Sequence, residues 1–187
     1  MFRFTKSYEL KVPNKILFFL LTIFFVPLFS EEMIIGKKTI KPGIELIFEG
    51  APKDTIFPKD LHLAEKDTDI HIEMLAQWTD DNSAFAPARS FVAYLNVSAE
   101  IKSKNGSSKI KLTPHLNLTD NLHYAQNIKL PGRLDDLYDI TFTISPPKKE
   151  DLGIHYDWNL KFGGLIKKTS FTFRNLDFEK IALKSRR

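Results

Sequence analysis

Residues 91–112 read FVAYLNVSAEIKSKNGSSKIKL, and apolar side chains occupy every second position from Phe91 to Ile101. Side chains of a β-strand point alternately to its two faces, so this pattern predicts a strand with one buried face and one polar face. Asn105-Gly106 then provides the turn chemistry of a hairpin, and KIKL begins the returning strand. We therefore predict a β-hairpin over residues 91–113.

The same alternation recurs along the rest of the chain. It predicts further strands near residues 44–49, 70–77, 124–130, 138–144 and 169–178, and it predicts no amphipathic helix of ten or more residues. About seven short strands separated by turns indicate an all-β domain, an immunoglobulin-like antiparallel β-sandwich, with a β-barrel as the alternative. The longest irregular stretches, residues 50–68 and 79–90, are predicted to be surface connections within this single domain.

The first thirty residues differ in composition from the rest. Four basic residues and one acidic residue precede or flank an uncharged run from Ile16 to Val26, which is shorter than the roughly 20 residues that a membrane-spanning helix requires. This pattern is typical of a signal peptide. We expect cleavage of residues 1–30 near Ser30, which would leave residues 31–187 as an exported, periplasmic domain. An uncleaved N-terminal anchor is the alternative.

Charge and cysteine content exclude several classes of function. Residues 1–30 hold four of the 27 basic and one of the 23 acidic residues, so the formal net charge of +4 falls to +1 without them. A nearly neutral domain lacks the basic surface that nucleic acids require, and no nucleic-acid partner is expected. The chain has no cysteine, which excludes disulfides, thiolate metal sites and cysteine nucleophiles. No set of nucleophile, base and orienting group is visible, and we expect no enzyme.

Two of the five histidines occur in one short segment, and a third shares a strand face with an acid. In DIHIEMLAQW, His71 and Glu73 alternate with apolar residues, and their Cα atoms are expected to lie roughly 6.5 to 7 Å apart, so both could converge on one ion. A solvent-facing polar pair is the alternative. His115 ends the strand KIKLTPHL, and a bend predicted at residues 119–121 could bring His123 close to it.

The remaining histidines differ in their surroundings. His155 follows a glycine by two positions and precedes Asp157 by two, so a loop imidazole there could reach a site with an acidic group available. His62, in LHLAE, has no such setting and is interpreted as a surface residue. Imidazoles with a carboxylate and no thiolate suit Cu(II), Zn(II) or Fe(II). A metal site is therefore one hypothesis, and ordinary loop and strand-end histidines are the other.

Six motifs in the same order resemble the periplasmic iron- and copper-binding proteins that accompany bacterial high-affinity iron permeases. They are TDIHIE (68–73), FVAYLN (91–96), TPH (113–115), HYAQN (123–127), YDITFTISPP (138–147) and HYD (155–157). The resemblance runs from about Gly43 to Phe173. It implies an immunoglobulin-like β-sandwich, usually a homodimer, that binds copper or iron in the periplasm and works with an inner-membrane iron permease. Zinc or manganese would be substitutes in vitro.

The resemblance also implies which residues bind the metal. Carried over by motif, the family's ligands fall on His71, Glu73, His115, His123 and His155. His115 stands where the family has a methionine, and replacing this soft sulfur by imidazole should weaken Cu(I) binding and favour Cu(II), Zn(II) or Fe(II). Relatives have a further histidine at the position of Gln77, so a second metal position could be altered or absent. These differences motivate an alternative function, an exported envelope module for protein contact that has lost its metal.

Overall fold

The computed structural model describes residues 32–118 and 121–184, so the predicted signal peptide lies outside the described residues. Within this part of the chain the strands are β1 Met33–Ile40, β2 Ile44–Ala51, β3 Ile70–Trp78, β4 Asn96–Ser103, β5 Gly106–Asn117, β6 Asn121–Ile128, β7 Leu137–Ser145 and β8 Thr169–Asp177. A 3-10 turn spans Glu65–Asp67, and the short helices are α1 Tyr156–Phe162 and α2 Glu179–Ala182. None of the helices described is long and apolar enough to cross a membrane.

Strand β5 joins two antiparallel sheets. The strand order is β1-β2-β3-β6-β5-β4-β7-β8. The first half of β5, up to Leu112, pairs with β4, and its second half, from Thr113, pairs with β6. Pro114 follows soon after the last residue paired with β4 and has no backbone N–H to donate, which suits the point where one pairing ends. The chain therefore passes from one sheet to the other within a single strand.

The two sheets pack face to face through apolar side chains. The ring of Phe48 on β2 lies 4.5 Å from that of Phe142 on β7 and 5.2 Å from that of Phe173 on β8, measured between centroids. Phe48 and Phe142 are both fully buried. Tilted aromatic pairs of this kind stabilise a core beyond the effect of burial alone. The prediction of an all-β antiparallel sandwich is confirmed.

The hairpin predicted around Asn105-Gly106 is confirmed in part. Strands β4 and β5 pair from Ser103 opposite Gly106 to Val97 opposite Leu112. The predicted start at Phe91 is wrong, because β4 begins at Asn96 and the backbone at Tyr94 has a φ of 65°, in the left-handed region. A left-handed residue at this point interrupts the extended backbone that a strand from Phe91 would require.

Strand β1 is present although its sequence does not alternate. It reads MIIGKKTI and pairs with β2 at the edge of the first sheet. Most of its residues are exposed or only half-buried, so the contrast between an apolar and a polar face is weak. Edge strands bury less surface than central strands, and for that reason periodicity does not reveal this one.

The segment after β2 does more than connect two strands. Residues 52–64, here called the covering loop, lie over the outer face of β3 and β6, where the Asn127 side-chain amide donates hydrogen bonds to the carbonyls of Asp54 and Leu63. His71 lies beneath the loop and is 2% exposed, and Glu73, on the same strand face, is 0% exposed. The interpretation of this pair as solvent-facing is therefore wrong, because both side chains are buried.

Candidate metal centre

His115 and His123 are neighbours by strand register. In the hairpin of β5 and β6 they are directly opposite each other. Residues opposite each other on antiparallel strands project from the same face, and the two ring centroids lie 6.0 Å apart. Residues 119 and 120, between the two strands in the sequence, lie outside the described residues. The pairing of the two strands is enough to place both imidazoles together.

His71 reaches the same point from β3. Strands β3, β6 and β5 are adjacent, so the three histidines lie on three neighbouring strands. The ring centroid of His71 lies 5.4 Å from that of His115 and 6.3 Å from that of His123. One ligand nitrogen from each of the three lies within 4.8 Å of the others. Imidazoles at this spacing can converge on a single metal ion with small side-chain adjustments.

The three imidazoles line a pocket of about 630 Å³ whose other wall is the covering loop. His71 and His123 are each 2% exposed, and His115 is 9% exposed. Phe57, Leu61 and Leu116 also line the pocket and are largely exposed. The imidazoles therefore lie in a partly dehydrated environment, where interactions with a cation are stronger than in water.

Asn127 determines which nitrogen of His71 is available. The Asn127 amide donates two hydrogen bonds to loop carbonyls through Nδ2, so its Oδ1 faces His71 and accepts a 2.7 Å hydrogen bond from Nδ1–H. In the neutral ring the lone pair is then on Nε2, which lies 3.6 Å from Oε1 of Glu73. An amide that holds a histidine in one tautomer is typical of metal-binding imidazoles.

His115 carries a buried nitrogen that makes no hydrogen bond to the described residues. Its Nε2 lies 3.1 Å from the Thr113 hydroxyl, whereas Nδ1 is buried without a hydrogen-bond partner. A buried polar atom left in this state costs roughly 1–3 kcal/mol, and a cation would satisfy it. Burial, together with the nearby His62 and His123, lowers the pKa of His115 to about 4, so the ring is neutral at pH 7. A neutral imidazole is the form that binds metals, and the residues present fit a metal ion.

Glu73 lies between the three histidines and two further carboxylates. Glu49 on β2 is directly opposite Glu73 on β3, and the carboxylates of Glu32, Glu49 and Glu73 lie within 4.8 Å of one another. Like charges directly opposite on a sheet are destabilising, so a proton or a cation nearby offsets their repulsion. Glu73 can therefore offer an oxygen ligand to an ion held by the histidines.

The other predicted ligand lies elsewhere in the chain. His155 directly precedes α1, is exposed, and lines a different pocket with Leu152 and Trp158. Within one chain the structure thus brings together His71, His115 and His123, with Glu73 beside them, and leaves His155 outside this group. Met74 is fully buried in the hydrophobic core, so it does not supply a thioether to the histidines.

The interpretation of His62 as a surface residue is wrong. His62 is half-buried in the covering loop, lines the same pocket, and its ring centroid lies 4.9 Å from that of His115. It lies in an irregular segment, where periodicity carries no information about position, so no local signal could have placed it. Asn127 was visible within the HYAQN motif, but its contacts depend on the path of the loop.

Known proteins are similar to this chain in sequence or in fold. UPF0423 proteins from Brucella abortus (strain 2308) and Brucella suis biovar 1 (strain 1330) are 27% identical to this chain over 132 residues, which is 68% of this chain and 71% of each relative. FetP from uropathogenic E. coli has a TM-score of 0.65 at 22% identity and is matched over 78% of this chain and 95% of its own. A copper-bound variant of P19 from Campylobacter jejuni has a TM-score of 0.66 at 24% identity, and the match covers 78% of this chain and 96% of that protein.

At these identities the structural likeness establishes the fold, while the sequence establishes the family. A model of the family described as Fe2+ transport protein matches residues 29–179, which is more than half of the chain. The match agrees with the resemblance carried by the six motifs, and the chain belongs to the Fe2+ transport protein family.

Proposed function

We propose that the protein is an exported metal-binding protein of bacterial iron uptake, which binds copper or iron in the periplasm and works with an inner-membrane iron permease. The observation that carries this proposal is the convergence of one nitrogen each from His71, His115 and His123 within 4.8 Å in a largely buried pocket. Membership of the Fe2+ transport protein family supports the connection with iron. Copper-bound structures of P19 and FetP support copper as a bound metal.

The ligand set in this proposal consists of side chains that hold the ion and do not catalyse a reaction. Nε2 of His71, Nδ1 of His115, a ring nitrogen of His123 and a Glu73 oxygen are the proposed ligands. Imidazole and carboxylate suit Cu(II), Zn(II) and Fe(II), so zinc should bind in vitro as well, and manganese more weakly.

A homodimer is part of the proposal. His155 lies outside the histidine group of its own chain, so its proposed role as a ligand requires that it reach the site of a second copy. Large apolar side chains next to it, Tyr156 and Leu160, are 82% and 74% exposed, which suits burial against another molecule. Analytical ultracentrifugation of residues 31–187 tests this part, and a monomer at micromolar concentration would contradict it.

Calorimetric titration tests metal binding directly. Residues 31–187 would be titrated with Cu(II), Zn(II), Fe(II) and Mn(II) beside a His123→Ala variant, and Lys111→Ala, an exposed change on β5, would be the matched control. We expect saturable binding near one metal per chain in the wild type and the control, and its loss in His123→Ala. Absence of binding in all three would favour the contact module that has lost its metal, and equal binding in all three would contradict the placement of His123 in the site.

The role in iron uptake has its own test. A strain lacking the protein should grow poorly when iron is limiting, and the wild-type chain should restore growth while His123→Ala should not. If His123→Ala also restored growth, the contribution of the protein to iron uptake would not depend on the metal site.

A further inference from the structure

The covering loop brings a fourth imidazole to the histidine group. His62 presents its ring edge-on to that of His115, with 4.9 Å between centroids and an interplanar angle of 86°. It is half-buried and lines the same pocket as His71, His115 and His123. Four of the five histidines of the chain therefore line one pocket.

The tautomer of His62 is determined by its neighbour Gln126. Oε1 of Gln126 accepts a hydrogen bond from the backbone N–H of Asn127 at 3.1 Å, which shows that the amide oxygen, rather than the nitrogen, faces this side. The same Oε1 lies 3.0 Å from Nδ1 of His62 and can only accept, so Nδ1 carries the hydrogen. The lone pair of the neutral ring is therefore on Nε2, which makes no hydrogen bond to the described residues.

The loop that carries His62 is attached to the residue that orients His71. Asn127 accepts a hydrogen bond from His71 with its oxygen and donates hydrogen bonds to the loop carbonyls of Asp54 and Leu63 with its nitrogen. Leu63 is the residue next to His62. Any shift of the His71 ring is therefore transmitted through one amide to the backbone beside His62.

We infer that His62 is a fourth metal ligand, which the covering loop brings to the three-histidine group when the ion binds. His62 contacts His115 through its ring and Gln126 through Nδ1, so a small movement of the loop would bring Nε2 onto the ion. Four-coordinate Zn(II) and Cu(II) sites use nitrogen ligands at about 2.0–2.1 Å. The three strand-borne imidazoles leave one such position, for which His62 competes with a Glu73 oxygen and with His155 of a second copy. This inference rests on the proposed function, since it requires that the three histidines bind a metal.

Cu(II) alone is a sufficient probe. His62→Ala would be compared with the wild type and with Leu61→Ala, an exposed neighbour that lines the same pocket. Affinity would be measured by competition with a chelator, and the number of bound imidazole nitrogens by electron paramagnetic resonance. Amide hydrogen exchange of residues 54–63, measured with and without Cu(II), would report closure of the loop. If His62 had only a structural role, Cu(II) would not change the exchange of these amides.

We expect His62→Ala to lower Cu(II) affinity at least tenfold, to remove one nitrogen from the spectrum, and to abolish Cu(II)-induced protection of the loop, while Leu61→Ala does none of these. Unchanged affinity and nitrogen count in His62→Ala, with binding lost in His123→Ala, would overturn this inference and leave the proposed function intact. The same holds if His155→Ala removes one nitrogen and His62→Ala does not. Absence of Cu(II) binding by the wild type would overturn both.

Discussion

His115 and His123 are directly opposite each other in the β5–β6 hairpin, and their rings are 6.0 Å apart. Together with His71 on the neighbouring strand they form a group in which every proposed neutral ligand is an imidazole. The resemblance described above implies a methionine at the position of His115, so in the proposed site this residue would determine how soft the ligand set is. The character of the site therefore depends on one cross-strand pair.

Replacing His115 by methionine should shift the preference of the site toward Cu(I). A thioether is a softer ligand than an imidazole, so the ratio of Cu(I) affinity to Cu(II) affinity should rise by roughly tenfold or more in His115→Met. Competition with chromophoric chelators specific for each oxidation state measures the ratio. His115→Leu, which has a similar volume and no sulfur, is the control and should lose affinity for both ions. An unchanged ratio in His115→Met would show that residue 115 is not a ligand.

The stability of the metal-free protein should depend on the protonation of His115. The folded-state pKa is about 4 and the ordinary value is 6.5, so between these values the unfolded chain binds more protons. The free energy of unfolding should therefore fall as the pH is lowered from about 6.5 to 4, by up to about 1.4 kcal/mol per pH unit from this residue.

Urea denaturation of the metal-free wild type and of His115→Gln, at several pH values from 7 to 4.5, measures this effect. Glutamine does not titrate, so the stability of the wild type should decrease relative to the variant as the pH falls below 6.5. If the two stability curves run parallel over this range, His115 keeps an ordinary pKa in the folded state, and the burial argument for a neutral imidazole is wrong.

Asn127 should support both the metal site and the covering loop. Asn127→Ala removes the acceptor that orients His71 and the donors that hold Asp54 and Leu63, so metal affinity should fall by roughly 10- to 100-fold. Asn127→Asp keeps an acceptor for His71 but loses the donors, so it should loosen the loop and retain more of the affinity. Calorimetry and proteolysis of the loop separate the two effects, with the exposed Asn159→Ala as control. Equal losses of affinity in the alanine and aspartate variants would count against the orienting role.

The Tyr124 hydroxyl should be important for stability. It accepts a hydrogen bond from the backbone N–H of Leu95 at 2.9 Å and donates one to the carbonyl of Val92 at 2.8 Å, and all three residues are buried. Tyr124→Phe leaves both backbone groups without partners, so it should lower the free energy of unfolding by about 2 kcal/mol. Tyr156→Phe, at a position 82% exposed, should change it little. Equal denaturation midpoints for the two variants would contradict this assignment.

Local patterns account for the parts of the fold that the sequence predicts correctly. The hairpin of β4 and β5 follows from alternation and from Asn105-Gly106, and five further predicted strands overlap β2, β3, β6, β7 and β8. The placement of His71 and Glu73 on one strand face follows from the same period of two. The strand face was predictable, but the burial of this pair was not, because burial depends on segments that are distant in the sequence.

Local sequence patterns predict most of the strands, the hairpin turn and the face on which each strand histidine lies, because these depend on residues within a few positions of one another. Four features depend instead on how distant segments pack: β5 changes partners, His71 lies beneath the covering loop, His62 joins the pocket and His155 lies apart. These features rest on contacts between distant segments, such as the hydrogen bond from Asn127 to Asp54 across 73 positions. No local pattern encodes such contacts, since they form only when the two sheets and the loop pack together.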